Sequence, residues 1–257
     1  MPDDRFFHPA WPVFHDDNHL LVVYKPALIP VQGGMDRRVS MLDLARRWIG
    51  IRYRKPGRVY LGLVHRLDFP VAGVMAFART SKAAGRLCAR FREGAVGKTY
   101  LAVVEGIPAT REGTLHHMLA RGRTGSRIAA EGDHKVRDAL LHYRVLDTFK
   151  DRALVEVDLK TGRKHQIRLQ LSQSGHPVLG DSRYGSTTAV PGGCIALLSR
   201  RLIVSHPTTA INMSFECPVP EEWPWPESID PEGSLSPPWT WPSIREHQDC
   251  LDTAIYR

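Results

Sequence analysis

The sequence has no long apolar run and no closely spaced cysteine pair. No stretch approaches the roughly 18 consecutive apolar residues of a membrane-spanning helix, so we expect no membrane partner. The four cysteines are far apart, at Cys88, Cys194, Cys217 and Cys250. Without a C-x-x-C pair, neither a disulfide framework nor a structural zinc site is expected. The neighbours His116 and His117 would chelate poorly on a strand, because their side chains point to opposite faces. We therefore expect no metal.

The first residues do not resemble a signal peptide. Residues 1–5 are acidic (M-P-D-D-R), whereas a signal peptide is basic and then apolar. This predicts a cytoplasmic protein, with an organelle reached by another kind of signal as the alternative. With 257 residues, 42% hydrophobic and 24% charged, the chain is long enough to bury a sizeable core in one large domain or two modest ones.

Positive charge is what the sequence has in excess. The formal net charge is +8, which favours a polyanionic partner. The basic residues recur in short clusters at residues 46–47, 52–55, 121–127, 163–168 and 200–201. This distribution indicates a folded protein with one broad basic face. A merely solvated basic surface remains the alternative.

The apolar pattern predicts an α+β fold. Strands outnumber helices and many are joined by short connections, which favours a large mixed or antiparallel β-sheet flanked by helices. Strands are predicted at residues 20–24, 98–104, 140–146, 152–159, 197–198, 202–204 and 212–215. Helices are predicted at residues 40–48, 80–91 and 163–172. Ser40 and Asp43 have the spacing of a capping box, and Thr80 or Ser81 is the expected cap of the second helix.

Three segments are expected along the chain. Residues 1–15 form an N-terminal arm, and Pro2, Pro9 and Pro12 are expected to block regular structure in residues 1–12. Residues 16–220 form the folded domain. Residues 221–257 form a Pro/Trp-rich C-terminal extension, whose tryptophans are expected to lie over the core rather than to bind a partner.

An unusual cluster of charge stands at residues 65–68 (H-R-L-D). It lies between the apolar runs 60–64 and 69–77, which are typical of buried strands. Charged residues are rarely fully buried unless they are paired, so Arg66 and Asp68 are expected to face a site rather than a core. A surface ion pair at a strand end remains the alternative.

Two further motifs follow later in the chain. Residues 159–168 (L-K-T-G-R-K-H-Q-I-R) run from a strand through a Thr-Gly turn into a predicted helix start. Free N–H groups, the positive end of the helix dipole and several cations at this point suit a phosphate backbone. Residues 175–185 (G-H-P-V-L-G-D-S-R-Y-G) are interpreted as a rigid turn under the sheet rather than as a catalytic loop.

Together these motifs resemble the signature set of the RluA-like branch of RNA pseudouridine synthases. The resemblance rests on H-R-L-D at 65–68, K-x-Y at 98–100 and the motifs at 159–168 and 175–185, in the same order and spacing. K-P at 25–26 and S-H-P at 205–207 resemble the flanking motifs of that family. The resemblance implies the pseudouridine synthase fold over residues 16–220, with a catalytic cleft across the sheet. It also implies conversion of uridine in RNA to its C-glycoside isomer without a cofactor.

The resemblance assigns roles to individual residues. Asp68 matches the catalytic aspartate that attacks the nucleoside, Tyr100 the tyrosine that stacks on the flipped uracil and serves as a base, and Arg168 the basic residue paired with the aspartate. Arg66 matches the arginine that displaces the target base, and His65 is expected to be scaffolding. The expected RNA-binding residues are Arg66, Lys98, Arg163, Lys164 and His165. A carboxylate can bond to the nucleoside and then leave, and stacking offsets the cost of base flipping.

The sequence departs from the usual pattern in three places. V-A-G at 71–73 replaces a common T-S-G, which predicts drier packing behind the aspartate. L-L-S at 197–199 replaces a common L-H-A. The resemblance therefore makes no prediction for the edge of the catalytic pocket at this segment. No small basic RNA-binding module precedes residue 16, so the basic clusters at residues 52–55 and 121–127 are expected to help hold the RNA.

These observations predict a monomeric pseudouridine synthase acting on structured ribosomal or transfer RNA. The target uridine depends on RNA shape and is not specified by any residue. One alternative is a non-catalytic RNA-binding protein with the same fold, but the joint presence of Asp68, Tyr100 and Arg168 argues against it. The other is a nucleoside hydrolase or DNA glycosylase that uses the same aspartate, which the set of motifs does not favour.

Overall fold

A computed structural model of the chain describes residues 6–8, 11–34, 39–123, 125–220 and 223–226. In this part of the chain there are three α-helices and twelve β-strands. The helices are α1 (Met41–Arg52), α2 (Ser81–Arg92) and α3 (Gln166–Gln173). The strands are β1 (Phe6–His8), β2 (Trp11–Asp16), β3 (Leu20–Lys25), β4 (Gly62–Leu63), β5 (Ala72–Ala78), β6 (Gly97–Glu105), β7 (Glu112–Arg121), β8 (Ser126–Ile128), β9 (Arg137–Phe149), β10 (Arg152–Leu159), β11 (Leu197–Ser205) and β12 (Asn212–Glu216).

The chain divides into two compact units. Of the described residues, those up to residue 96 and residues 201–220 form the first unit, and those from residue 97 to residue 200 and residues 223–226 form the second. The first therefore holds β1 to β5, β12, α1 and α2, and the second holds β6 to β10 and α3. Strand β11 contributes residues to both units.

In the first unit, β1, β2, β3 and β5 pair in that order, each antiparallel to its neighbour, and β4 also pairs with β5. Every residue of β3 and β5 is buried, as expected for strands covered on both faces. The prediction that prolines exclude regular structure from residues 1–12 was wrong. Of these prolines, only Pro12 lies in a described strand. It is the second residue of β2, next to register irregularities in the pairing of β2 with β1 and with β3, where a missing N–H donor is tolerated.

In the second unit, the strand order is β6, β10, β9, β7 and β8, and each neighbouring pair is antiparallel. Helix α3 packs on this sheet, since Leu169 forms a core cluster with Leu119 of β7 and Ala139 of β9. Strand β7 is not among the strands predicted from the sequence. The strands predicted at residues 98–104 and 152–159 are confirmed as β6 and β10.

The starts of the three helices can be compared with the caps and bounds predicted from the sequence. The capping box of α1 is confirmed, because Ser40 Oγ accepts from the backbone N–H of Asp43 and the Asp43 carboxylate accepts from the N–H of Ser40. Thr80 caps α2 by accepting from the N–H of Ala83 at 3.1 Å. Helix α3 begins at Gln166 rather than at residue 163, because His165 takes a left-handed conformation with φ of 55°.

The α+β class with a large sheet and accompanying helices is confirmed, whereas the division at residues 16 and 220 stays a prediction. Trp223 and Trp225 pack against a core cluster of the second unit that includes Val103 and Leu179, as expected for tryptophans lying over the core. Residues 227–257 lie outside the described part of the chain. In the described ranges, no helix has the length and apolar character needed to cross a membrane.

Candidate active site

Asp68 lies in the loop that joins β4 to β5 in the first unit. Its side chain is half-buried, while Arg66 is exposed and Leu67 between them is 6% exposed. Leu67 therefore anchors the loop in the core and leaves both charged neighbours at an accessible surface. This is the arrangement that a carboxylate needs if it is to meet a substrate.

His65 fixes the start of this loop. Its Nε2 accepts a hydrogen bond from the backbone N–H of Ala76 in β5 at 2.9 Å. Its ring stacks on Phe91 of α2, with a centroid distance of 4.6 Å and an interplanar angle of 14°. These contacts hold the loop between β5 and α2, and they are those of a scaffolding residue.

Lys25 fixes the other end of the loop. It is fully buried, and its ammonium group donates to the carbonyl oxygens of Pro26 at 2.8 Å, Val71 at 2.7 Å and Phe69 at 3.3 Å. The N–H of Leu28 adds a bond of 2.8 Å to the Phe69 carbonyl. Two backbone segments therefore clamp the residues that follow Asp68. K-P at 25–26 was predicted only as a flanking motif, because contacts across more than forty residues have no local signal.

Tyr100 and Lys98 lie on β6 in the second unit. Tyr100 is 8% exposed and is opposite Val157 of β10. Side chains two residues apart on a strand share a face, so Lys98 and Tyr100 point to the same side of the sheet. Burial lowers the pKa of Lys98, with Asp158 opposing this effect and the positive charge of Arg163 adding to it. The expected cationic and aromatic residues of the K-x-Y motif are thus side by side.

Arg168 lies on α3 and is buried, with 5% exposure. Its Nε donates to Asp181 Oδ2 at 2.6 Å and its Nη2 donates to Asp181 Oδ1 at 2.7 Å. The guanidinium group also lies over the ring of Tyr184, 5.0 Å from its centroid. Asp181 and Tyr184 belong to the motif at 175–185, so this turn holds the arginine in place. The expected pairing of Arg168 with Asp68 stays a prediction.

The residues expected to bind RNA around the start of α3 have different environments. Lys164 is exposed, and Arg163 is half-buried with its Nε donating to the carbonyl of Asp138 at 2.8 Å. His165 Nδ1 lies 2.9 Å from the hydroxyl of Tyr184. The turn therefore presents Lys164 to solvent. The His165 ring is hydrogen-bonded to Tyr184, the residue whose ring lies under the Arg168 guanidinium group.

Gln166 is a residue of this turn to which the sequence assigned no role. It is 2% exposed, and its Oε1 accepts from Thr161 Oγ1 at 2.8 Å and from the N–H of Arg163 at 3.0 Å. Its Nε2 donates to Gln170 Oε1 at 3.0 Å. A buried amide with this many partners fixes the strand-to-helix turn. Its position inside the 159–168 motif was the signal that could have identified it.

A second polar cluster in the first unit combines His15, Asp17 and His206, whose ligand atoms all lie within 4.8 Å of one another. Nε2 of each histidine is 2.9 Å from Asp17 Oδ2. His206 Nδ1 accepts from the N–H of Thr209 at 3.1 Å, so in the neutral ring Nε2 carries the proton and donates to Asp17. Metal binding through Nε2 requires a proton on Nδ1 instead, facing that N–H. The cluster is therefore suited to hydrogen bonding between chain segments rather than to metal binding.

Comparisons with known proteins agree with the sequence motifs. The family model described as RNA pseudouridylate synthase matches residues 19–173. The chain is 33% identical over 230 residues to Ribosomal large subunit pseudouridine synthase D of Pseudomonas aeruginosa, covering 83% of this chain and 69% of that protein. The corresponding protein of Zymomonas mobilis is 30% identical over 225 residues, covering 82% and 69%.

The solved structure of Human RNA Pseudouridylate Synthase Domain Containing 4 has the same fold. It matches with a TM-score of 0.69 at 24% identity, covering 82% of this chain and 89% of that one. The fold is thus that of a pseudouridine synthase. The chain belongs to the RNA pseudouridylate synthase family and is an isomerase.

Proposed function

We propose that this protein isomerises one uridine, or a small set of uridines, in ribosomal or transfer RNA, with Asp68 as the nucleophile. The observation that carries the proposal is the position of Asp68. It is an accessible carboxylate on a loop that His65 and Lys25 clamp on either side. The names of the relatives refer to the large ribosomal subunit, which favours ribosomal RNA.

The chemistry exchanges one bond for another within the nucleoside. The bond from ribose C1′ to N1 of uracil breaks, a bond from C1′ to C5 forms, the C5 proton leaves and N1 gains a proton. Asp68 bonds to the nucleoside and then leaves again, which a carboxylate can do. Because no atom is lost, the uracil must stay in a closed pocket while it rotates.

The other candidate residues support this reaction. Tyr100 stacks on the extruded uracil and takes up the C5 proton, and stacking of this kind offsets the cost of removing the base from its stack. Arg168 stabilises the ionised Asp68. Arg66 occupies the space that the base vacates, while Lys98, Arg163, Lys164 and His165 contact the RNA. A monomer acting in the cytoplasm belongs to the same proposal.

The test is to map pseudouridines in total RNA from cells with and without this protein. The proposal expects the signal at one or a few uridines, in large-subunit ribosomal RNA first, to vanish when the protein is absent and to return when it is restored. Identical maps in the two cell lines would contradict the proposal. Free uracil released by the purified protein would instead indicate a glycosylase.

A further inference from the structure

The connection between α1 and β4 is a basic surface that the catalytic roles above do not use. Between Asp43 and Asp68 the chain contains seven Lys and Arg residues and no Asp or Glu. Residues 51–58 are exposed without interruption. We call this region the α1–β4 surface, and it consists of Arg52, Tyr53, Arg54, Lys55, Arg58 and Tyr60.

One buried carboxylate anchors this surface to the core of the first unit. The side chain of Asp16 is 8% exposed, and it accepts a hydrogen bond from the hydroxyl of Tyr53 at 2.5 Å. Asp16 also binds the guanidinium group of Arg79, which lies over the Tyr53 ring at 4.4 Å from its centroid. Nε of Arg52 is 3.4 Å from the same carboxylate. The start of the surface, at Arg52 and Tyr53, is therefore fixed to the core of the first unit.

The backbone of the surface is fixed as well. Arg54 adopts a left-handed conformation with φ of 45°. The N–H of Arg54 donates to the carbonyl of Ile51 at 3.2 Å, and the N–H of Lys55 donates to the carbonyl of Gly50 at 2.9 Å. These bonds satisfy the last carbonyl groups of α1 and end the helix. The residues that follow the helix are exposed up to Arg58.

Among the residues that the structure describes, no carboxylate pairs with three of the cations on this surface. Within the described ranges of the chain, no salt bridge involves Arg54, Lys55 or Arg58. Cations near the C-terminus of a helix stabilise its dipole, but this effect is limited to the last turn and does not extend to Arg58. The positive charge of this surface therefore exceeds what would stabilise the dipole of α1.

Apolar side chains accompany these cations. Tyr60 is 49% exposed and Ile51 is 70% exposed. Phosphate-binding cations beside an accessible aromatic ring are the features of surfaces that bind single-stranded nucleic acid, in which bases stack on the rings. A surface for an acidic protein would need the cations but not a ring of this kind.

We propose that the α1–β4 surface binds the single-stranded RNA that flanks the target uridine, with Arg54, Lys55 and Arg58 on phosphates and Tyr60 under a base. The identity of the partner rests on the proposed function. The surface is continuous along the chain with the Asp68 loop, since Tyr60 precedes β4 by two residues and the loop follows β4. RNA bound here would extend the contacts that the Asp68 loop makes.

The test measures the affinity of the full-length protein for a fluorescein-labelled 12-nucleotide oligouridylate at several KCl concentrations. Each phosphate contact contributes about −0.7 to the slope of log affinity against log salt on single strands. The variant R54Q/K55Q/R58Q is therefore expected to have a slope about 2 less steep than the wild type. The matched control K82Q/R92Q/K150Q removes the same charge from other exposed positions, and its slope should equal that of the wild type.

The contribution of stacking is measured separately. Tyr60→Ala should weaken oligouridylate binding at least about five-fold without changing the slope, whereas Tyr60→Phe should bind like the wild type. An unchanged slope in R54Q/K55Q/R58Q, or an equal loss in the control triple variant, would overturn the proposal. The first result would point to a different partner, such as an acidic protein, and the second to an effect of net charge alone.

The same preparations are assayed for pseudouridine formation in total RNA. Wild-type protein that binds with the expected slope but forms no pseudouridine would contradict the proposed function. The proposal that the α1–β4 surface binds RNA would still stand. Protein that forms pseudouridine while R54Q/K55Q/R58Q keeps the wild-type slope would contradict only the surface.

Discussion

Arg168 and Asp181 form a buried, bidentate ion pair that uses two of the three guanidinium nitrogens. The turn that contains Asp181 therefore sets the direction in which Arg168 presents its charge. In the proposed reaction, that charge acts on Asp68.

The first prediction concerns the stability of this pair. Asp181→Ala leaves a buried positive charge without its partner, which costs about 3–5 kcal/mol of unfolding free energy. Urea denaturation measures the loss. Glu156→Ala is the control, because it breaks the exposed Arg144–Glu156 pair, which is worth about 1 kcal/mol or less. Losses of equal size in the two variants would contradict the structural role of Asp181.

The second prediction concerns the clamp behind Asp68. Lys25→Met removes the ammonium donor from the carbonyls of Pro26 and Val71, and each buried acceptor left unsatisfied costs about 1–3 kcal/mol. We expect the unfolding free energy to fall by at least about 2 kcal/mol, and turnover to fall because the loop is no longer held. Lys82→Met, at an exposed position of α2, is the control and should change the stability by about 0.5 kcal/mol or less. A Lys25→Met protein as stable and active as wild type would rule out the clamp.

The third prediction is a pH dependence of stability. Burial alone would raise the pKa of Glu105, but hydrogen bonds from Ser186, Thr188 and Thr187 outweigh burial and bring it to about 2. A lowered pKa in the folded state means that the ionised carboxylate stabilises the fold above the unfolded pKa of about 4.3. That stabilisation is lost as the pH falls towards 2. Thermal unfolding of the wild type and Glu105→Gln should therefore differ most at pH 5 and above, and converge towards pH 2. A difference independent of pH would contradict this.

The fourth prediction separates the two roles of Tyr100. Tyr100→Phe keeps the ring that stacks on the base and removes the hydroxyl group. We expect RNA affinity to be retained and most single-turnover activity to be lost. Tyr143→Phe removes a hydroxyl elsewhere in the second unit and should leave activity unchanged. Full activity in Tyr100→Phe would restrict Tyr100 to stacking.

Much of the fold follows from local sequence signals. The apolar run of β3, the alternation of β10 and the capping box at Ser40 each depend on residues that are close in the chain, and all three were predicted correctly. Strands β1 and β2 were missed, because a proline near the start of a strand or at a register irregularity does not exclude the strand. The start of α3 was placed too early, because His165 adopts a left-handed conformation and no glycine stands at that position to indicate it.

The candidate site likewise combines residues that local motifs identify with partners that they do not. The motif residues could be recognised individually, but their supporting partners could not. The ammonium group of Lys25 binds a carbonyl 46 residues away, and Asp181 binds Arg168 from a separate motif. Such pairings depend on how the strands are arranged in space, which composition and spacing do not encode. The sequence therefore identifies the reactive groups better than it identifies what holds them.

The most direct test of the account is the activity of Asp68→Asn, which keeps the size of the side chain and removes its ability to act as a nucleophile. The measurement is pseudouridine formation in total RNA by purified protein, with RNA affinity measured in parallel. The account predicts that the variant binds RNA as the wild type does and forms no pseudouridine. Turnover like that of the wild type would contradict the assignment of Asp68 as the nucleophile.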